Sequence, residues 1–186
     1  DYLLNSNRQM DLLHKRFIVF ELDNISENRT LLPVVTIIIM ETFLAKMRRL
    51  QGVRKVLLLE EAWKAIAKEG MASYVRYLFK TVRKYFGEAI VVTQEVEDII
   101  SSPIVKESII NNADCKILLD QRKYRNKFDQ IQTLLGLTDK ERAQVLSINL
   151  SNDPARRYKE VFISLGGVQS AVYATEVSDE EYLVRP

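Results

Sequence analysis

The strongest pattern in this sequence is a run of aliphatic residues with charged residues on either side. Val56 to Leu59 is wholly aliphatic, Lys55 precedes it, and the acidic pair Glu60-Glu61 follows it. Four consecutive aliphatic residues are typical of a strand buried on both faces, as in a parallel sheet covered by helices. Because ligands of open α/β sheets bind at the carboxyl ends of the strands, the acidic pair is placed for chemistry.

Other apolar runs alternate between strand-like and helix-like patterns. The β-branched run Val34 to Ile39 favours a strand, but Pro33 before it and Gly52 well beyond it favour a helix that joins two parallel strands. We therefore expect strands at Phe17–Leu22, Glu88–Thr93 and Lys116–Leu119, and helices at Leu32–Leu50, Ala62–Lys68, Ala72–Phe86 (ended by Gly87) and from Pro103 to Asn111 or Asn112.

The last third of the chain carries clear start and stop signals. Apolar residues recur at helical spacing from Tyr124 to Leu135, and Thr138 to Glu141 forms a capping box for a further helix. Two strand-like runs then flank Gly166-Gly167, which predicts a hairpin with a two-residue turn, and a second capping box starts at Ser178. The alternation predicts an α/β fold: a mostly parallel sheet flanked by helices, with a C-terminal antiparallel β-hairpin.

The amino-acid composition limits the number of domains and excludes several classes of functional site. A chain of 186 residues with 47% apolar residues can bury one substantial core, so one domain is expected. The 27 basic and 25 acidic residues nearly balance, so any basic surface must be local. One cysteine, Cys115, and one histidine, His14, exclude an internal disulfide, a thiolate zinc site and a histidine-based metal site. Cys115 is expected in a buried strand, and no apolar run is long enough to span a bilayer.

Polar side chains follow two of the predicted strands. Glu60 and Glu61 follow the first, and Gln94 follows Glu88–Thr93. A neutral amide there can donate to a phosphate and accept from a water molecule, with no proton to lose. The alternative is structural: the two acids open the next helix, where negative charge favours the helix dipole, and Gln94 caps a helix.

The residues around this strand resemble a known family. Leu57 to Lys64, with two acids followed by Ala-Trp and a basic residue, is similar to the Walker B strand of the TraG family of conjugation ATPases, the large ATPases of type IV secretion systems. Val91 to Gln94 resembles the sensor strand of that family. The resemblance continues in order through Val96 to Ile99, Asn111 to Leu119 and Tyr124 to Leu137, and covers most of the chain from about Phe17 onward.

The resemblance implies a RecA-like motor core of a hexameric ATPase that uses ATP and Mg²⁺. In it Glu60 holds the magnesium ion through water, Glu61 orients or deprotonates the attacking water, and Gln94 senses the γ-phosphate. One residue departs from the family pattern. The first acid is usually Asp and is Glu60 here, which leaves open whether Glu60 and Glu61 exchange roles.

A basic stripe precedes the sensor strand. Arg76, Lys80, Arg83 and Lys84 share one face of the predicted Ala72–Phe86 helix. The plain interpretation is a solvated helix face. Because Thr81 to Lys84 resembles the family's basic motif at this position, the resemblance also implies a catalytic arginine, Arg83, that reaches the nucleotide of a neighbouring subunit.

The sequence lacks the phosphate-binding loop of such an ATPase. No Gly-x-x-x-x-Gly-Lys-Ser/Thr occurs, and the first glycine is Gly52. We therefore expect residues 1–186 to be the C-terminal part of a P-loop ATPase domain, with the loop upstream of residue 1. The resemblance implies self-assembly, contacts with other secretion components and a cytoplasmic position peripheral to the bacterial inner membrane. It leaves nucleic acid open as a partner.

Two other functions remain open at this point. One is a DNA-pumping translocase or coupling protein of the same superfamily, in which the stripe from Arg76 to Lys84 contacts phosphates. The other is a docking module that assembles secretion components without hydrolysing ATP, in which Glu60 and Glu61 are only surface charge.

Overall fold

The computed structural model describes residues 12–60, 76–94, 109–150 and 158–184. The chain divides into two compact units, residues 1–109 and 110–186, which we call the N-terminal and C-terminal units. The N-terminal unit contains a parallel pair of strands, and the C-terminal unit contains an antiparallel sheet of three strands. The predicted α/β fold, with a parallel sheet and a C-terminal antiparallel hairpin, is confirmed.

The N-terminal unit is built from one long helix and two strands. A 3-10 turn, Asp23–Ile25, precedes helix α1, Leu31–Arg49, which matches the predicted helix to within one residue at each end. Strand β1 is Lys55–Glu60 and strand β2 is Gly87–Val92. Between them the structure describes a helix over 76–81 that tightens into the 3-10 turn Val82–Tyr85.

The core of this unit lies on one face of the β1–β2 pair. Leu57 and Ala89 pack against a buried cluster formed by α1 and the segment before β2: Met40, Phe43, Leu44, Met47, Leu78 and Val82. On the other face, Val56 is 51% exposed and Leu58 is 54% exposed. The prediction that β1 is buried on both faces is therefore wrong: within the described residues, the helical cover lies on one side of the pair.

The predicted strand Phe17–Leu22 is also wrong. These residues have no regular secondary structure, and Phe17 and Val19 are 86% and 72% exposed. High β-propensity needs a neighbouring strand to become a ladder, and no described strand pairs with this segment.

The helix before β2 ends differently from the prediction. Phe86, and not Gly87, takes the left-handed conformation at the end of the 3-10 turn, with φ 58°. Gly87 is the first residue of β2 and is required for space. A Cβ on Gly87 would lie 2.8 Å from Cγ2 of Val82 and 3.3 Å from the sulfur of Met47. The predicted helix at Ala62–Lys68, and most of the one that starts at Pro103, lie outside the described residues.

The C-terminal unit contains a helical pair and a three-stranded sheet. Strand β3 is Cys115–Leu118 and is followed by the 3-10 turn Arg122–Lys127. The remaining elements are α2, Phe128–Leu135; α3, Asp139–Ser147; β4, Tyr158–Leu165; β5, Gln169–Glu176; and α4, Asp179–Val184. The strand order is β3-β4-β5, and both pairs are antiparallel.

The local signals of this unit are confirmed. Thr138 and Glu141 form the predicted capping box at the start of α3, and Ser178 and Glu181 form the second one. The hairpin is present, although its loop has three residues, 166–168, because Leu165 pairs with Gln169. Glycines fill the first two loop positions, where φ is positive.

Strand β3 differs from expectation in its burial and pairing. It joins the hairpin as a third antiparallel strand and does not extend the parallel pair. Ile117 is 61% exposed and Cys115 is exposed, so the predicted burial of this segment is wrong. Its side chains alternate between a covered and an open face, as expected for an antiparallel sheet packed on one side. Helix α3 packs against the neighbouring strands β4 and β5. The buried apolar residues among those described in this unit are Phe128, Ile131, Leu134, Leu137, Val145, Ile148 and Phe162.

Candidate nucleotide site

The parallel pairing brings the ends of β1 and β2 to one edge of the sheet. Lys55 pairs with Gly87 at the start, and Glu60 pairs with Val92 at the end. Gln94 follows Val92 by two residues, in a bend just after β2. Adjacent strands lie about 4.8 Å apart, and two residues extend the chain by at most about 7 Å, so Gln94 stays near the ends of both strands. Two of the sequence-predicted site residues therefore occupy the same edge.

Both of these side chains are open to solvent at that edge. Glu60 and Gln94 are exposed, so a ligand can reach the carboxylate and the amide without any rearrangement of the core. Gln94 is not free of partners, since it also interacts with another group of the protein. Glu61 lies outside the described residues, but it directly follows the last residue of β1.

The structure does not place Arg83 with these residues. Arg83 is exposed in the 3-10 turn Val82–Tyr85, immediately before the amino end of β2. The six residues of β2 separate it from Gln94, a span of at least about 17 Å. Arg83 therefore lies at the opposite end of the sheet from the candidate site of its own unit. The hypothesis that it acts in a neighbouring subunit stays a prediction.

A buried lysine fixes this opposite end, and sequence analysis missed it. Lys55 is 8% exposed, and its ammonium donates to the carbonyl oxygens of Met47, Leu50 and Tyr85 at 3.3, 2.5 and 2.8 Å. An ammonium has three donors, so three carbonyls satisfy it. The charge also lies at the C-terminus of α1, where the dipole favours a cation. The only sequence signal was a lysine directly before an aliphatic run.

Lys55 determines how β1 lies against its neighbours. It ties the first residue of β1 to the end of α1 and to the turn that leads into β2, while the Lys55 N–H donates to the Phe86 carbonyl at 3.2 Å. An ion pair between Arg54 and Glu88 at 2.5 Å adds a surface contact beside it. The Lys55 contacts hold the register that places Glu60 beside Val92, and the exposed ion pair is not needed for it.

The oxygen donors at the carboxyl edge suit a hard divalent cation. Carboxylate and amide oxygens are the ligands that Mg²⁺ accepts, usually as one or two carboxylates together with water and substrate phosphates. Among the residues that the structure describes, no three His, Cys, Asp or Glu side chains cluster to hold a metal on their own. The chemistry of these donors is therefore compatible with a magnesium ion brought with a phosphorylated ligand, and Glu60 is the carboxylate that the structure describes at this edge.

The comparison with protein families identifies the family to which this chain belongs. The model of the TraG P-loop domain matches residues 1–185. The chain belongs to the TraG P-loop domain family. The resemblance read from the residues around Glu60 and Gln94 is thereby confirmed, and P-loop domains of this kind bind nucleotides.

Solved structures agree on the fold of this TraG P-loop chain. The structure of VirB4 of Thermoanaerobacter pseudethanolicus matches with a TM-score of 0.62 and 22% sequence identity. The match covers 89% of this chain and 43% of the VirB4 chain, so the TraG P-loop chain corresponds to less than half of that protein. At this identity the likeness concerns the fold. The search of curated proteins gives no match. In the described part of the chain, no helix combines the length and the apolar character needed to cross a bilayer.

Proposed function

We propose that this TraG P-loop chain carries the acidic part of the ATP-hydrolysing motor of a conjugative type IV secretion system. The observation that carries the proposal is the register of β1 and β2, which brings Glu60 and Gln94 to one edge. In open α/β sheets that edge is the place where ligands bind. Membership of the TraG P-loop family supports the choice of a nucleotide as that ligand.

In this proposal Glu60, Glu61 and Gln94 have separate chemical roles. Glu60 would hold Mg²⁺, and Glu61 orients the attacking water or accepts its proton. The ion would supply positive charge that neutralises the phosphate oxygens. Gln94 donates its amide N–H to the γ-phosphate and accepts from the attacking water with its carbonyl oxygen. The longer side chain of Glu60, compared with Asp, places its carboxylate one methylene farther from the strand.

A phosphate-binding loop from outside residues 1–186 completes the site in this proposal. The P-loop cradles phosphates with backbone N–H groups and a lysine, and this sequence contains no such motif. Residues 1–186 are then the C-terminal part of the ATPase domain. The parent protein works as a hexamer, peripheral to the bacterial inner membrane on its cytoplasmic side, together with other secretion components.

A DNA-pumping translocase of the same superfamily is the second candidate. The observation that favours it is the basic stripe before β2, in which Arg76, Lys80, Arg83 and Lys84 are all exposed. Both candidates hydrolyse ATP with the same residues, and they differ in whether the motor itself pumps the nucleic acid.

The experiment is magnesium-dependent ATP hydrolysis by the full-length parent protein and by its Glu61→Gln variant. Loss of a general base typically lowers the rate about 10²–10⁴-fold. The matched control is Glu88→Gln, the same chemical change at the amino end of β2, where Glu88 pairs with Arg54 on the surface. We expect Glu88→Gln to keep the wild-type rate. Full activity of Glu61→Gln would refute the assignment, and an inactive wild type would leave the docking module as the better description.

A further inference from the structure

The amino end of the β1–β2 pair carries a second surface that the nucleotide chemistry does not use. It combines exposed cations from the last turn of α1 and from the segment before β2 with two exposed aromatic rings. We call it the basic-aromatic surface, and it consists of Arg48, Arg49, Lys80, Lys84, Tyr77 and Phe86.

The buried Lys55 shows that the two segments of the basic-aromatic surface, the last turn of α1 and the segment before β2, lie next to each other. The Lys55 ammonium donates to carbonyl oxygens of both segments, to Leu50 at 2.5 Å and to Tyr85 at 2.8 Å. Arg48 and Arg49 directly precede Leu50. Lys84 directly precedes Tyr85. A second link lies farther along, where the Arg48 guanidinium donates to the Tyr77 hydroxyl at 3.4 Å.

The local charge of these two segments departs sharply from that of the whole chain. Residues 42–59 contain five basic residues and no acid, and residues 76–94 contain four basic residues and one acid, Glu88. Glu88 is paired with Arg54. In the described part of the chain, Arg49, Lys80 and Lys84 take part in no ion pair. A concentration of positive charge like this attracts a polyanion even though the net charge of the chain is only +2.

The conformation of Phe86 points to a role for its side chain. Phe86 has φ 58°, a left-handed conformation that costs free energy for a bulky residue and none for glycine. Its ring is 63% exposed, so burial offsets only part of that cost. Tyr77 is 41% exposed on the same segment. Exposed aromatic rings among cations are the feature on which unpaired bases stack.

A nucleic acid fits this surface better than a lipid bilayer. A helix that lies in a membrane interface needs a free apolar face. Here the apolar face of the segment before β2 is buried in the core, with Leu78 at 0%, Phe79 at 7% and Val82 at 5% exposure. What remains outside is cations, two of them arginines that match phosphate geometry, and the two rings.

We propose that the basic-aromatic surface binds single-stranded nucleic acid, with Arg48, Arg49, Lys80 and Lys84 on phosphates and Tyr77 and Phe86 under bases. The surface lies at the amino ends of β1 and β2, and the candidate nucleotide site lies at their carboxyl ends. The two ligands are thus separated by the length of the strands, about 17 Å. Binding therefore does not require ATP, and it can succeed or fail independently of the proposed hydrolysis.

The first test measures the salt dependence of binding to a labelled single strand of about 20 nucleotides, by fluorescence anisotropy without ATP. Each lost phosphate contact lowers the slope of log K against log salt by about 0.7 for single strands. Lys80→Gln/Lys84→Gln is therefore expected to lower the slope by about 1.4 and to weaken binding about 25-fold near 0.1 M salt. The control, Lys127→Gln/Lys140→Gln, removes the same charge from exposed positions of the C-terminal unit and is expected to bind like wild type.

The second test is Phe86→Gly, which removes the ring and the conformational strain together. We expect a thermal midpoint equal to or above that of wild type, because glycine adopts this conformation freely. Binding to the single strand is expected to weaken about tenfold, within the range measured for loss of one stacking contact. A merely structural role for Phe86 would lower the thermal midpoint and leave the affinity of the folded protein unchanged.

Three results would overturn the proposal. The first is no binding of the wild type to the single strand at low salt. The second is equal weakening by both lysine pairs, which would mean general charge attraction. The third is loss of binding to phosphatidylserine-containing vesicles in Lys80→Gln/Lys84→Gln while single-strand binding persists, which would mean a membrane surface.

Discussion

The two units of this chain are ordered by different kinds of contact. In the C-terminal unit, elements begin and end at signals within a few residues of one another. The Thr138–Glu141 box starts α3, Gly136 ends α2 with φ 62°, and glycines turn the hairpin. Each of these signals can be satisfied as soon as its own short segment forms, so each is visible in the sequence.

The N-terminal unit depends on residues that are far apart in the chain. The start of α1 is a local exception, because the Asn28 side chain accepts from the Leu31 N–H at 2.9 Å. The other end of α1 and the end of the 3-10 turn are held by Lys55. The parallel pairing itself joins residues about 30 positions apart. This unit also carries the candidate site, so the geometry of that site depends on distant contacts.

The largest expected effect tests whether the amino end of the parallel pair also serves catalysis. Arg83→Ala is expected to lower ATP hydrolysis by the full-length parent about 10³-fold or more, as for loss of an arginine finger. Because Arg83 cannot reach the candidate site of its own unit, we expect the effect to be exerted across a subunit boundary.

Mixing two inactive variants distinguishes action of Arg83 within its own subunit from action across a subunit boundary. Equal amounts of Arg83→Ala and Glu61→Gln subunits, each inactive alone, should recover about a quarter of the wild-type rate, because some interfaces then combine an intact Glu61 with an intact neighbouring Arg83. No recovery in verified mixed assemblies, or full activity of Arg83→Ala alone, would contradict the role.

A second prediction concerns the buried carboxylate of the C-terminal unit. Burial raises the pKa of Glu141, but the Thr138 backbone N–H and the hydroxyls of Ser164 and Thr138 donate to the carboxylate, and the net result is a lowered pKa. Glu141 is 4% exposed and accepts from Ser164 at 2.7 Å. We expect Glu141→Gln to destabilise the protein at about pH 7 by about 1–3 kcal/mol, because buried donors lose an ionised acceptor.

The loss of stability in Glu141→Gln should depend on pH in a definite direction. A group whose pKa is lowered on folding contributes its full stability above its unfolded pKa, about 4.3 for Glu, and loses it as the pH falls through the folded value. The difference between wild type and Glu141→Gln in urea unfolding should therefore shrink below about pH 4. The exposed control Glu176→Gln should stay within about 0.5 kcal/mol of wild type. A difference that is independent of pH would mean that Glu141 acts by shape alone.

The last stability prediction compares two glycines that are required for different reasons, and the Gly136 change has the smallest expected effect. Gly87→Ala should cost about 1–3 kcal/mol by crowding Val82, and a second change, Val82→Ala, should recover part of the crowding term. Gly136→Ala should cost about 1–2 kcal/mol through its positive φ alone, since nothing lies within 4 Å of its Cβ position. Urea unfolding measures both. Recovery of Gly136→Ala by a neighbouring large-to-small change would contradict this distinction.

The pattern of successes and errors in the sequence predictions follows the same division. Both capping boxes, the hairpin and the helical pair were predicted, because each is set by neighbouring residues. The strand at Phe17–Leu22 and the burial of β1 and β3 were wrong, because burial depends on what else packs against a strand. Propensity alone does not contain that information.

Prediction of the candidate site was limited in the same way, because contacts between distant segments cannot be read from local sequence. Glu60, Glu61 and Gln94 were predicted from their place after aliphatic runs, and β1–β2 pairing brings Glu60 and Gln94 to one edge. Lys55 and Phe86 were missed, because the burial of an ammonium and the φ of a phenylalanine follow from contacts between distant segments.

The most direct test of the central claim is a double-mutant cycle on kcat for magnesium-dependent ATP hydrolysis, with Glu60→Gln and Gln94→Ala in the full-length parent. If the ends of β1 and β2 form one site, each change lowers kcat about tenfold or more, and the double variant is little worse than the more damaged single one, because groups that act as a unit are not additive. Losses that multiply, or a Gln94→Ala variant with the wild-type kcat, would contradict a shared site.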